Sequence, residues 1–165
     1  KYNTSKEELS YFNGCEGHNT VSVGGADQML KGSRFIWFYW VKKVKAKLKK
    51  TANTYEFDGN IKAFKQLGNN IIHHRKVTKT AGQNRWEIED TVHNKKEHSL
   101  YQYWHIHPDH FNKVKIITKD DQGNELKPLV EEKWFSGYYG VKEKSLRITF
   151  TTKRASMNTS IEINL

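Results

Sequence analysis

The sequence has one cysteine, two prolines and only 18 acidic residues against 28 basic ones. A lone cysteine, Cys15, excludes an intrachain disulfide and any zinc site built on thiolates. No apolar run approaches the roughly 20 residues that a membrane-crossing helix needs, so no membrane span is expected. No internal repeat or low-complexity linker interrupts the 165 residues, which are read as one domain, 1–165. No signal peptide is visible and the first residue is Lys1 rather than Met, so the chain is expected to be a mature or excised piece.

Aromatic residues are plentiful, with five Trp, eight Tyr and eight Phe, so the chain has the means to fold despite a mean hydropathy of −0.85. The net charge of +10 is lopsided. Residues 1–82 hold 15 Lys/Arg against 6 Asp/Glu, and residues 83–165 hold 13 against 12. A one-sided positive field favours a polyanionic partner: nucleic acid, acidic polysaccharide or an anionic membrane surface. No RNP-like or zinc-finger pattern accompanies the charge, and nucleic acid is not the expected partner.

Alternation of period two recurs along the chain and predicts strands at 20–23, 34–48 (one long strand or two with a bulge), 71–79, 85–92, 98–107, 113–118, 129–135, 145–151 and 161–165. Tyr55-Glu56-Phe57, set between Asn53-Thr54 and Asp58-Gly59-Asn60, reads as loop or edge. Only Ser5–Phe12 and Ile61–Leu67 have helical character, about two turns each, and 1–13 is expected to be irregular or a short helix. Many short strands joined by Gly and Asn turns define an all-β fold, a two-layer antiparallel β-sandwich with little helix.

Several residues carry chemistry on paper. His18 stands at the mouth of a strand that closes in Gly24-Gly25, with Asp27-Gln28 following. His105-Ile106-His107 puts two imidazoles on one strand face, a spacing that suits zinc, but structural or surface histidines are the expected reading. His73 and His74 must point to opposite faces. Asp90 shares a face with Trp86 and Ile88 and needs buried partners, with Arg75 and Lys76 on the preceding strand as candidates. Lys43, Lys45, Lys47 and Lys49 form a charged strand face, read as solvated and as a guard against edge pairing. Phe35-Ile36-Trp37-Phe38-Tyr39-Trp40 has no polar face and is expected to be core, under a neighbouring sheet or another domain. Trp134, Tyr138 and Tyr139 are either sugar-stacking rings or an aromatic corner of the core.

Four segments in order resemble one family. They are His18-Asn19-Thr20-Val21 through Asp27-Gln28; Phe57-Asp58-Gly59 with His73-His74-Arg75-Lys76-Val77; Trp86-Glu87-Ile88-Glu89-Asp90 with His98 and Tyr103-Trp104-His105-Ile106-His107-Pro108; and Trp134-Phe135-Ser136-Gly137-Tyr138-Tyr139-Gly140 with Thr159-Ser160-Ile161. This pattern is similar to the C-terminal β-sandwich of the heparinase II/III-like polysaccharide lyases. The resemblance implies the C-terminal part of a larger enzyme, in which an N-terminal helical toroid carries the catalytic Tyr and Asn. It implies β-elimination on acidic, uronate-containing polysaccharide, and a periplasmic or extracellular location. It makes His18 one ligand of zinc or another divalent metal, whose remaining ligands lie outside this chain. The chain alone is expected to be inactive and to hold no metal tightly. The alternative is a stand-alone carbohydrate-binding β-sandwich.

Overall fold

The computed structural model describes residues 5–33, 36–138 and 140–164. Helix α1 (Lys6–Asn13) opens the chain, with the Ser5 hydroxyl accepting from the Glu8 N–H at 3.1 Å, as an N-cap does. Twelve strands follow among the described residues: β1 (Val21–Val23), β2 (Leu30–Lys31), β3 (Trp37–Phe38), β4 (Lys42–Lys50), β5 (Thr54–Lys62), β6 (Ile72–Thr80), β7 (Arg85–His93), β8 (Leu100–Ile106), β9 (Val114–Asp120), β10 (Leu129–Phe135), β11 (Glu143–Thr152) and β12 (Ser156–Ile163). They form a six-stranded sheet ordered β4-β5-β6-β7-β12-β9, a four-stranded sheet ordered β1-β8-β11-β10, and the small ribbon β2-β3. Every pairing is antiparallel, and the architecture is the expected two-layer all-β sandwich.

Two local expectations fail for physical reasons. Tyr55–Phe57 is neither loop nor edge but part of β5, paired on both sides by β4 and β6. The turn-like Asp58-Gly59-Asn60 sits in mid-strand because Gly59 leaves room for a ring: a Cβ there would lie 2.5 Å from the Phe57 ring. Ile61–Leu67 is not helical. Its first two residues end β5, and Phe64, wholly buried, adopts φ 56°, a left-handed conformation that stops a right-handed helix. The expected strand at 34–48 resolves into β3 and β4, parted by Tyr39 at φ 57°; Arg34 and Phe35 lie outside the described residues.

The core centres on Val21, Val23, Phe64, Ile71, Val92, Leu100, Phe150 and Met157. Between the sheets lies a buried polar network. Asp90 on β7 accepts from Arg75 Nε and Nη2 and from His73 Nε2, each at 2.7 Å, and from Gln102 Nε2 at 2.8 Å. Gln102 Oε1 on β8 accepts in turn from Trp104 Nε1 and from the Thr118 and Thr159 hydroxyls. One glutamine thus ties the small sheet to β7, β9 and β12 of the large one. Arg75 is the expected partner of Asp90; Lys76 instead turns outward and pairs with Glu56 at 3.0 Å.

The layers do not match in width. Across the row Thr118–Thr159–Ile88–Val77–Phe57–Leu48, exposure is 0%, 1% and 5% for the first three, Val77 is half-buried, and Phe57 and Leu48 reach 36% and 85%. The small sheet therefore stops near β6 and leaves the inner face of β5 and β4 bare.

The turn that closes β1 rests on Gly24 at φ 59°, where a Cβ would stand 3.0 Å from His98 Nδ1. Gly24→Ala is therefore expected to cost about 1–2 kcal/mol of folding stability. A urea titration of both proteins measures it, and an unchanged midpoint would refute this account of the turn.

Candidate functional site

The segment Gly17–Thr20 leaves a short 3-10 turn (Cys15–Gly17) and enters β1. Its polar residues act as rivets. The Asn19 side-chain oxygen accepts from the His105 N–H at 2.7 Å, and its carbonyl accepts from Arg75 Nη1 at 2.5 Å. The Thr20 carbonyl accepts from the Tyr103 N–H at 2.9 Å, and the Thr20 hydroxyl accepts from Gln28 Nε2 at 3.0 Å. Asp27 Oδ1 accepts from the Cys15 N–H at 2.6 Å, while the Asp27 carbonyl accepts from Gln66 Nε2 at 2.5 Å. Asn19, Thr20, Asp27 and Gln28 are thus consumed in fixing the loop. His18 is the exception: it is exposed, and its ring makes no hydrogen bond among the described residues.

His18 borders an open cavity of about 160 Å³ that Cys15, Asp27, Gln28, Met29 and Trp37 also line. These residues do not make a metal site by themselves. Burial, helped by the nearby Asp27 carboxylate, pushes the Cys15 thiol up to about 12, so it offers no thiolate near neutral pH. Asp27 is engaged with the Cys15 amide. Among the described residues, no group of three or more His, Cys, Asp or Glu side chains is placed to hold an ion. His18 is the one imidazole lining this cavity, and no metal-dependent step can be derived from it alone.

His73, His74, His105 and His107 have structural posts, whereas His93 and His110 are exposed and, like His98, make no side-chain hydrogen bond among the described residues. His73 is buried against Asp90, and His74 faces the other way, with Nε2 3.0 Å from Asp58 Oδ1. His105 is half-buried, with Nε2 2.8 Å from the Glu16 carbonyl. Burial holds its pKa below the ordinary imidazole value, with the nearby Arg147 and His18 charges acting in the same direction. His107 caps a 3-10 turn (Pro108–Lys113), its Nδ1 accepting from the Asp109 N–H at 3.3 Å. The His105-Ile106-His107 pair is therefore not a chelate.

Sequence reasoning did not reach the assembly that seats the site. Arg147 on β11, nearly buried, donates to Glu16 at 2.6 Å and Glu131 at 2.7 Å and lies over the Tyr103 ring. Tyr11 on α1 donates to the Trp134 carbonyl at 3.1 Å. Together these clamp α1 and the 3-10 turn before His18 onto the outer face of the small sheet. Glu16 and Arg147 lie 131 positions apart, so no local pattern links them.

Trp37 lines the cavity beside His18, and other large apolar side chains of the aromatic segments are exposed. Ile36, Phe38, Tyr39 and Trp40 are exposed among the described residues, so the part of the expectation that this chain buries them is not met. Tyr138 is exposed and Trp134 is half-buried with the Lys142 ammonium 4.2 Å above its ring; Tyr139 lies outside the described residues. The lysine face is shorter than its spacing suggests. A register shift between Lys43 and Lys45 sets Lys43 opposite Ile61 and Lys45 opposite Asn60, so Lys43 crosses to the inner face.

The site is thus a fixed loop with one unengaged imidazole, mounted on an antiparallel β-sandwich. The chain belongs to the family described as heparinase II/III-like, C-terminal, whose profile matches residues 1–164. Two solved structures of heparinase III, the BT4657 gene product, share the fold. One, with methylated lysines, is 15% identical with a TM-score of 0.71 over 95% of this chain and 25% of its own. The other is 16% identical with a TM-score of 0.70 over 98% of this chain and 26% of its own. The chain thus spans about a quarter of the length of those structures. Comparison with curated proteins finds no match.

Proposed function

We propose that the chain is the non-catalytic C-terminal β-sandwich of a lyase that cleaves uronic-acid polysaccharides by β-elimination outside the cytoplasm. β-Elimination needs a base at the proton α to the uronate carboxyl group, an acid at the leaving glycosidic oxygen, and neutralisation of the carboxylate. The chain contributes a wall and a ligand to that chemistry rather than the acid–base pair, which belongs to a helical toroid in the same protein. His18 supplies one ligand to zinc or another divalent ion completed from that other part. The observation that carries the reading is the division of labour at the loop: four polar side chains are spent on fixing it, and the imidazole they position is left bare at a cavity mouth. The positive charge of residues 1–82 suits an acidic glycan.

The test compares residues 1–165 with the complete gene product on glycosaminoglycan and alginate substrates, following ultraviolet absorbance of the unsaturated product. Activity is expected only in the complete protein. Turnover by the 165-residue chain would refute the allocation of roles.

The exposed rings of Tyr138 and Trp40 favour a second reading, a stand-alone carbohydrate-binding module. Glycan-array binding by the 165-residue chain, lost on Trp134→Ala or Tyr138→Ala, would select it over the first.

A further inference from the structure

The bare inner face of β4 and β5 is built for contact. Leu48, Phe57 and Val77 form one cross-strand row, and the Phe57 ring lies over Gly59. The row runs into a mainly apolar groove of about 270 Å³ lined by Val77, Trp86, Ile88, Trp104 and Ile161, with Arg75, already paired with Asp90, at its wall. A soluble surface rarely leaves such a strip without a partner. Its ends are cationic. Lys43 lies opposite Ile61 at one end. At the other, Lys50 and Lys79 stand over the Tyr55 and Trp86 rings at 5.3 and 5.1 Å. None of these three lysines has a carboxylate partner among the described residues.

Charge selects the occupant. Stacking two copies face to face would set these lysines against each other, a like-charge contact that disfavours self-association. A layer with acidic ends would meet them. The sheets also differ by two strands, so the missing cover is strand-like: it would continue the small sheet over β5 and β4. The heparinase III structures are about four times as long as this chain, so a protein of that size has polypeptide to provide such a layer.

We propose that the strip Leu48–Phe57–Val77 and its groove receive a β-layer with inward apolar side chains and acidic residues at its ends, supplied by the rest of the longer lyase polypeptide. The proposal rests on the reading that the chain is part of such a protein. The experiment is maleimide labelling of Leu48→Cys in the 165-residue chain and in the complete gene product. Glu125→Cys, exposed in an isolated bridge to Lys119, is the control, and the buried Cys15 reports unfolding. Labelling at position 48 is expected to be about tenfold or more slower in the complete protein, with equal rates at position 125. Equal rates at position 48 would overturn the docking proposal while leaving the lyase reading intact. A complete gene product no longer than this chain, seen by mass, would instead overturn that reading and the docking proposal with it. Protection in the 165-residue chain with a dimeric mass by light scattering would overturn it in favour of a second copy. Binding of that chain to phosphatidylserine vesicles, abolished by Leu48→Glu, would overturn it in favour of a membrane surface.

Discussion

Asp90→Asn is expected to destabilise the chain by about 3–5 kcal/mol, the range found when one member of a buried ion pair is removed. The carboxylate is wholly buried and accepts four hydrogen bonds, three of them from His73 and Arg75. Asparagine keeps the shape but loses the charge, and its amide nitrogen would face donors. Arg75 would keep its bond to the Asn19 carbonyl yet lose its counter-ion, so the damage should spread to the loop that aims His18. For a chain of this length the melting temperature should fall on the order of 10 °C. The pH dependence gives a second check. Burial acts to raise the Asp90 carboxyl pKa, but the charges and hydrogen bonds of Arg75 and His73 outweigh it and hold the group well below the usual carboxylate range. Its folded value is therefore depressed relative to the unfolded one. The stabilisation is complete above the unfolded value of about 3.9 and is lost as pH falls through it toward the folded value. Urea midpoints of the parent chain should drop on acidification from about pH 5, and those of Asp90→Asn should drop less steeply over the same interval. Parallel pH curves, or a melting temperature within a degree or two of the parent, would show that the network is ornamental.

The same residue shows what a sequence can and cannot display. That Asp90 would be buried and paired followed from its place in the Trp86–Ile88 face, because alternation fixes which side a residue takes. That Gln102 would bind Asp90 and join the sheets had no local sign, since its threonine partners lie 16 and 57 positions away. β7 and β10 were legible within a residue because their patterns are regular. β5 was hidden by Asp58-Gly59-Asn60, where pairing on both edges overrides turn chemistry. The aromatic run at 35–40 lacks a polar face and so reads as core, yet its described residues Ile36, Phe38, Tyr39 and Trp40 are exposed, because apolar composition does not say whether the same chain provides the cover. At the candidate site, the flanking Asn19-Thr20-Val21 and Asp27-Gln28 and the family resemblance they carry, rather than residue type, pointed to His18, and only the hydrogen bonds separated it from the Asn, Thr, Asp and Gln that hold it.

That separation yields the sharpest functional expectation. In the complete gene product His18→Ala should reduce polysaccharide cleavage on the order of 100-fold or more and lower zinc content in proportion, since even partners one shell further out are worth 10–100-fold in metal affinity or activity. Folding should barely change, because the ring is exposed and makes no hydrogen bond among the described residues. Asn19→Ala should behave in the opposite sense. It removes the acceptor for the His105 N–H and loosens the joint between the loop and β8, so its effect on stability should be measurable while zinc affinity falls less than with His18→Ala. The comparison separates a ligand from its scaffold: activity and metal content should follow position 18, and the melting temperature should follow position 19. If His18→Ala leaves both zinc stoichiometry and product absorbance at parental levels, the imidazole is an exposed loop histidine, and the sandwich contributes no ligand to the active centre.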